Sequence, residues 1–312
     1  MRTEDLREQT RKAAKVRKHK MGARLSKGEK KNAKRMATVA SVYTIAPFVR
    51  KPQDLVFETH PARAETPRPR PEQKRVWASI KKSPEEVIEE VFQEADYRDP
   101  KHQKPWIGLV DGNKHQIRIL RQIAKKKGIK LTLIVDVIHV IEYLWDAGRA
   151  FYPNGSELEG WVQTRLLEIL RGKAGWVAGG MRRGATLRNL APEARKAVDV
   201  CANYLLTYAP YLKYHHYLAQ GFPIATGVIE GACRHLVKDR MEVTGARWSL
   251  NGAEAILRLR ALRSSHDFDE YWTFHEAQEY ERNHRSLYAG GIVPPAIKPQ
   301  NNRNRGHLKI VK

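Results

Sequence analysis

Gly221-Phe-Pro-Ile-Ala-Thr-Gly-Val-Ile-Glu-Gly-Ala-Cys-Arg-His-Leu-Val-Lys-Asp-Arg-Met241 begins with a Gly/Pro turn and then takes on a helical period. Val228, Ile229, Ala232, Leu236, Val237 and Met241 recur at the spacing that puts apolar side chains on one helix face. Thr226 stands where an N-cap belongs. Glu230 falls in the first turn, beside the apolar stripe. Two readings of Glu230 stand. It can be a dipole partner of the helix N-terminus, where acids are favoured. It can also be a carboxylate aimed across a cleft at something charged.

A second acid favours the functional reading. In Trp106-Ile-Gly-Leu-Val-Asp-Gly-Asn113 a short apolar run ends at Asp111, and a helix-like segment follows. An acid at the C-terminal end of a buried strand sits where open α/β sheets hold ligands. Asp-Gly is also an ordinary turn pair, so the signal is weak taken alone. Together, Asp111 and Glu230 suggest a metal-dependent site assembled by the fold. Carboxylates converging from separate elements can hold two Mg²⁺ or Mn²⁺ ions about 4 Å apart, the arrangement that phosphodiester cleavage and strand transfer need.

The charge points the same way. The 312 residues carry 57 Lys plus Arg against 34 Asp plus Glu, a net charge of +23. Such an excess calls for a polyanionic partner, with double-stranded DNA the first candidate. Two cysteines, Cys201 and Cys233, form no CxxC pair, which argues against a zinc finger and against a disulfide framework and suits a reducing cytoplasm. No run of about 18 apolar residues is present, so no membrane span is expected.

Residues 1–35 hold fourteen Lys/Arg and four acids and read as a basic arm able to follow phosphates, with Arg17, Lys18 and Lys20 at its densest point. Lys34 to Val49 reads as the best strand, and Val76 to Ser79 as a short one. Ser83-Pro-Glu-Glu86 is a capping box that starts a helix buried through Val87, Ile88, Val91 and Phe92. After the strand at 106–111 comes a basic amphipathic helix with Ile117, Leu120 and Ile123 inside and Gly128 at its end. Leu131 to Val140 reads as another buried strand. The order up to about residue 145 is an α/β layer.

Residues 146–220 are helical throughout and read as an inserted helical segment. Beyond the Glu230 helix lies Thr244-Gly-Ala-Arg-Trp248, where Arg247 and Trp248 could stack on a DNA end or simply anchor a loop. Asn251 or Ser249 can cap the next helix, with Ala255, Ile256 and Leu259 inside. Asp136-Val-Ile-His139 interrupts an apolar run, and a buried Asp or His needs a partner. It reads either as support behind the metal site or as a hydrogen-bonded core pair. His215 and His216 lack a ligand-spaced carboxylate and read as structural.

Lys34 to Ile45, Leu109 to Asn113, Asp136 to His139, Gly227 to Met241 and Thr244 to Trp248 together resemble bacterial insertion-sequence transposases of the ISKra type, relatives of the Mutator-like DDE transposases. The likeness runs over almost the whole chain. It implies an α/β fold with a ribonuclease-H-like core and an all-helical insertion between the second and third acids. It maps those acids to Asp111 and Glu230, as catalytic groups and as ligands of Mg²⁺ or Mn²⁺. Asp136 and His139 match a supporting element. The partners it implies are transposon ends and target DNA, in a bacterial, nucleoid-associated setting.

The family's first acid lies in a strand just ahead of the segment that here begins Met1-Arg-Thr-Glu-Asp-Leu-Arg7. Asp5 and Asp54 do not replace it. The expectation is therefore a transposase lacking its first strand, first carboxylate and N-terminal DNA-binding region. The expected organisation is a basic arm (1–35), core (36–145), helical insertion (146–220), core with the last acid (221–284) and basic tail (285–312). Little or no transposition is expected of it.

Overall fold

The structure, a computed structural model, describes residues 36–56, 68–243, 248–288, 290 and 292. It is a mixed α/β arrangement, mostly helical, with two small sheets. The chain divides into two compact units, Met1–Ser265 and His266–Lys312.

In the first unit, β1 (Thr38–Thr44) pairs antiparallel with β2 (Glu72–Ser79), with an irregularity between Val42 and Thr44. The expected strand from 34 to 49 is thus shorter, because the ladder ends before Pro47 and the chain turns to other partners. A short helix, α1 (Gln53–Val56), follows. Asp54 caps that turn by accepting from the Lys51 amide at 2.7 Å. The helix α2 (Pro84–Arg98) starts on the expected capping box: Ser83 Oγ accepts from the Glu86 amide, and Glu86 accepts from the Ser83 amide. Val87, Ile88 and Phe92 are buried, while Val91 is only partly so.

The second sheet is a parallel pair, β3 (Trp106–Val110) and β4 (Leu131–Val135). Parallel strands need a crossover, and α3 (Lys114–Lys127) supplies it. Asn113 caps its start, and Gly128 ends it in the left-handed conformation. The expected strand through Val140 is corrected here. β4 ends at Val135, Asp136 is an N-cap, and α4 (Val137–Gly148) begins at once.

Helices α5 (Ser156–Leu170), α6 (Ala174–Leu187), α7 (Pro192–Tyr208) and α8 (Tyr214–Ala219) complete the helical stretch. They are not a satellite. Leu144, Ile169, Leu170, Ala178, Leu205 and Leu218 share one buried cluster with Ile134 and Val135 of β4. Burying a Leu or Ile side chain stabilises by about 1.5–3 kcal/mol. A second cluster, with Ile88, Phe92, Ile119 and Ile123, joins α2 to α3 beside Trp106 and Leu131.

The stretch 227–241 is helical as expected, but not uniformly α. It runs as α9 (Gly227–Ala232), a π segment (Cys233–Lys238) and α10 (Asp239–Met241). Ala232 and Leu236 pack on Val76 and Ala78 of β2 and on Leu257 of α11 (Leu250–Ser264), with Val228, Val237 and Met241 alongside. The π register, with its i→i+5 bonds, keeps Met241 on the face that holds Leu236. Arg260 of α11 donates to the His235 carbonyl within that segment at 2.8 Å from Nε.

Ser249 is the cap of α11, accepting from the Gly252 amide at 3.0 Å. Its inward residues are corrected. Ala253, Glu254 and Leu257 are buried, whereas Ala255 and Leu259 are exposed. The reason is Glu254, whose carboxylate accepts from Ser79 Oγ at 3.0 Å and from the Ile80 amide at 3.0 Å. It anchors the end of β2, so a charged residue occupies the inner face. In the second unit, α12 (Phe268–Asn283) has no buried residue.

The turn before α9 is held by backbone. Phe48 N–H donates to the Gly221 carbonyl at 2.9 Å and Arg50 N–H to the Leu218 carbonyl at 3.1 Å. Gly221 has φ +74°, and a Cβ there would meet the Phe48 nitrogen at 2.6 Å. Gly221→Ala is therefore expected to destabilise the protein by about 2–4 kcal/mol through strain and clash. Denaturant titration of the two proteins side by side checks this, and an unchanged midpoint would show that the contact gives way freely.

Candidate functional site

The site residues are positioned by one buried carboxylate. Asp136 is 0 % exposed. Its Oδ1 accepts from the Ile138 amide at 2.8 Å, which caps α4. Its Oδ2 accepts from the Thr226 amide at 3.2 Å and from the Thr226 hydroxyl, in a shorter contact. The backbone adds two bonds. Asp136 N–H donates to the Val110 carbonyl at 2.8 Å, and Val137 N–H to the Ile224 carbonyl at 2.9 Å. The ends of β3 and β4 and the start of α9 are thereby tied at one point.

Both candidate acids grow from this tie. Asp111 follows Val110 directly. Glu230 lies one turn beyond Thr226, its amide donating to the Thr226 carbonyl at 3.1 Å. Both are exposed. Asp111 Oδ1 accepts from the Asn113 amide at 2.9 Å, which sets the turn into α3. Thr226 precedes α9 as expected, but its hydroxyl is spent on Asp136 and makes no cap bond to its own helix.

His139 is not brought to Asp136. It lies on the outer side of α4, its Nδ1 3.0 Å from Glu142 Oε2. The pair is local to one helix, and Asp136 finds its partners elsewhere. Of the basic candidates, Arg17, Lys18, Lys20 and Arg247 lie outside the described residues. Trp248 is half-buried with the Arg240 guanidinium 5.0 Å from its ring centre. His215 and His216 pack ring against ring at 4.0 Å.

Sequence reasoning missed the tyrosines behind Asp111. Tyr204 donates to the Asp111 carbonyl at 3.2 Å, and Tyr208 to the Gly112 carbonyl. Tyr143 stacks on Tyr204 at 4.1 Å. Tyr214 donates to the Val135 carbonyl at 2.7 Å. Gly112 has φ +96°, and a Cβ there would lie 3.1 Å from Tyr204 Oη, so a side chain would be both strained and crowded under this roof. The signal available was Tyr204 and Tyr208 four apart on one helix face, the spacing that lets both reach one target.

Burial first, and the charges of Asp111 and Asp136 among further causes, push the Tyr204 phenol well above its usual value. Burial does the same to Tyr214, and burial and the charge of Asp136 to Tyr43 of β1. The Cys201 thiol is pushed up to about 12 by burial.

Among the described residues, no group of three or more His, Cys, Asp or Glu is placed to hold a metal ion. Asp111 and Glu230 are open carboxylates, and Asp136 is closed by its own hydrogen bonds. Two open acids do not by themselves make a two-ion site. Comparison with protein families, with curated proteins and with solved structures returned no match.

Two predictions follow from this geometry. Asp136→Asn places an amide NH₂ against the donors of Thr226 or Ile138 and should cost about 3 kcal/mol; Thr226→Val, losing one donor, about 1 kcal/mol. Equal stability of all three proteins in urea would mean that the tie is dispensable. The raised groups fix a pH dependence as well. Their folded pKa values lie above the ordinary 9.0 for Cys201 and 10.0 for Tyr204. Their contribution is therefore complete below about pH 8.5 and is lost as pH rises past the unfolded values toward the folded ones. Thermal midpoints should fall between about pH 9 and 11, and the absorbance change lost in Tyr204→Phe should appear only with unfolding.

Proposed function

We propose that this chain handles DNA as a DDE-type transposase does, with Asp111 and Glu230 as two of the acids of a site for Mg²⁺ or Mn²⁺. What supports the reading is the tie at Asp136, which ends β3 beside Asp111 and starts α9 one turn ahead of Glu230. Acids from separate elements, set at the C-terminal end of a parallel pair, are where an α/β fold can gather divalent cations. The net charge of +23 supplies attraction for a polyanion. A ribonuclease-H-like core belongs to the same reading: an antiparallel pair and a parallel pair in one unit are compatible with it.

The donor set is short for such a site. Hard cations of this kind take six or more oxygen ligands, some of them waters, and a two-ion site draws on several carboxylates. Among the described residues no third His, Cys, Asp or Glu is grouped with Asp111 and Glu230 to complete a set. That shortage favours a second form of the reading, a transposase-derived protein that binds DNA without cutting it and competes for transposon ends or titrates active subunits.

The test has two arms. Labelled duplex DNA titrated across a salt series should show binding that weakens steeply with salt. Incubation of the 312-residue protein with transposon-like ends and Mg²⁺ should give little or no strand cleavage or transfer. Efficient transfer abolished by Asp111→Asn would show that the two acids suffice and overturn the second form. Absence of any DNA binding would sink both.

A further inference from the structure

We infer that the outward face of α3 is a track for one DNA strand, leading its phosphates toward Asp111. This rests on the DNA-directed reading above and adds to it where the strand lies. The helix Lys114–Lys127 has six Lys/Arg and no Asp or Glu. Ile117, Ile119, Ile123 and Ala124 bury its apolar side, so the cations are left on the solvent side. Lys114, Arg118 and Arg121 stand at i, i+4 and i+7 and line a groove of about 450 Å³ with Ile117 as floor and Tyr208 and Tyr211 as the far wall. A hollow of about 210 Å³ adjoins it through Arg121 and adds Lys125.

The groups are set for a chain of anions. Neighbours at these spacings lie about 5–6 Å apart, so the cations form a row and not a single pocket. From Lys114 to Lys125 the helix rises about 16 Å. At about 3.4 Å per nucleotide along one strand, that spans four to five phosphates. Arg121 Nη1 donates to Tyr211 Oη at 3.2 Å, which steadies a guanidinium at mid-row. Arg118 Nη2 donates to His115 Nδ1 at 2.9 Å, which leaves the His115 Nε2–H to Glu85 Oε1 at 2.9 Å. Glu85 is thus engaged by His115 at the rim. At the far end Asp96 is engaged by Lys127 at 2.7 Å. Lys114 and Lys125 make no ion pair among the described residues and remain open to phosphate.

Tyr211, only partly buried, gives the opposite wall an aromatic surface, which a base can meet while phosphates meet the helix. Tyr208 also bonds the Gly112 carbonyl, so the groove's wall and the turn that carries Asp111 are one piece. A strand seated on this row passes the acid at its head. A track of this kind reads backbone, not sequence, and the sequence-independent term should dominate its binding.

The test compares two triple variants. One neutralises the row (Lys114→Gln, Arg118→Gln, Arg121→Gln). The other removes the same charge elsewhere (Lys101→Gln, Arg183→Gln, Lys196→Gln). All six side chains are exposed, so both proteins should melt with the parent. Fluorescence anisotropy with single-stranded and duplex DNA is run across a salt series. The row variant should lose about 2–3 from the salt slope and bind at least about tenfold more weakly near 0.1 M salt, while the control changes by less than about twofold. Equal losses in the two variants, or parent binding that favours RNA of the same sequence, would overturn the track while leaving a DNA-binding protein in place. A parent that binds no DNA overturns the track and the broader reading together.

Discussion

A carboxylate with no exposure, Asp136, sets the geometry of everything that could act as a site. Burying an ionised group costs several kcal/mol unless its lone pairs are satisfied. Here three donors meet it, from Ile138 and twice from Thr226. Each bond does a second job. The first starts α4 directly after the end of β4. The others fix the start of α9, ninety residues on, against that same strand end. The charge is therefore tolerated only in the conformation that joins these three elements. Tyr43, Tyr204 and Tyr214 lie within reach of its field, which makes their own ionisation unfavourable and keeps the surroundings neutral.

What was legible in the sequence follows the range of the forces involved. The capping box at Ser83, the Gly128 end of α3 and the strand ending at Val110 rest on contacts within a few residues, and each stands close to its expected place. Leu131 to Val140 was different. An unbroken apolar run fits a buried strand and a buried helix equally, and only the Asp136 cap separates them. That cap reads as an interruption when its partner is Thr226, far along the chain. Glu254 misled in the same way, since a charged residue belongs outside a helix unless something inside is waiting for it. Ser79 and the Ile80 amide were waiting.

The helical stretch from 146 to 220 was legible as helices but not in its role. Periodicity says which residues are buried and not against what. Its cluster is continuous with β4, and its tyrosines reach the carbonyls of Val135, Asp111 and Gly112. Among the described residues the parallel sheet has two strands, too few to hold its ends rigid alone. Hydroxyls from α7 and α8 satisfy carbonyls at those ends, where a wider sheet would rely on its own ladder. This helical stretch serves as the wall against which the Asp111 turn is set.

The same accounting decides which acids are available for chemistry. Asp136 is nearest to the junction of the three elements, but a cation could draw on it only by displacing the Thr226 hydroxyl or amide. Either loss frees the start of α9 and leaves a buried donor unsatisfied, at about 1–3 kcal/mol. The ion would have to exceed that cost while also loosening the element that carries Glu230. Asp136 is thus a positioning group, whereas Asp111 and Glu230, both exposed, keep oxygens open. Among the described residues no third His, Cys, Asp or Glu joins them in a metal-holding group. The proposed DNA binding needs no such donor, since the row of cations on α3 stands without it, and on that proposal holding a strand is separable from cutting it.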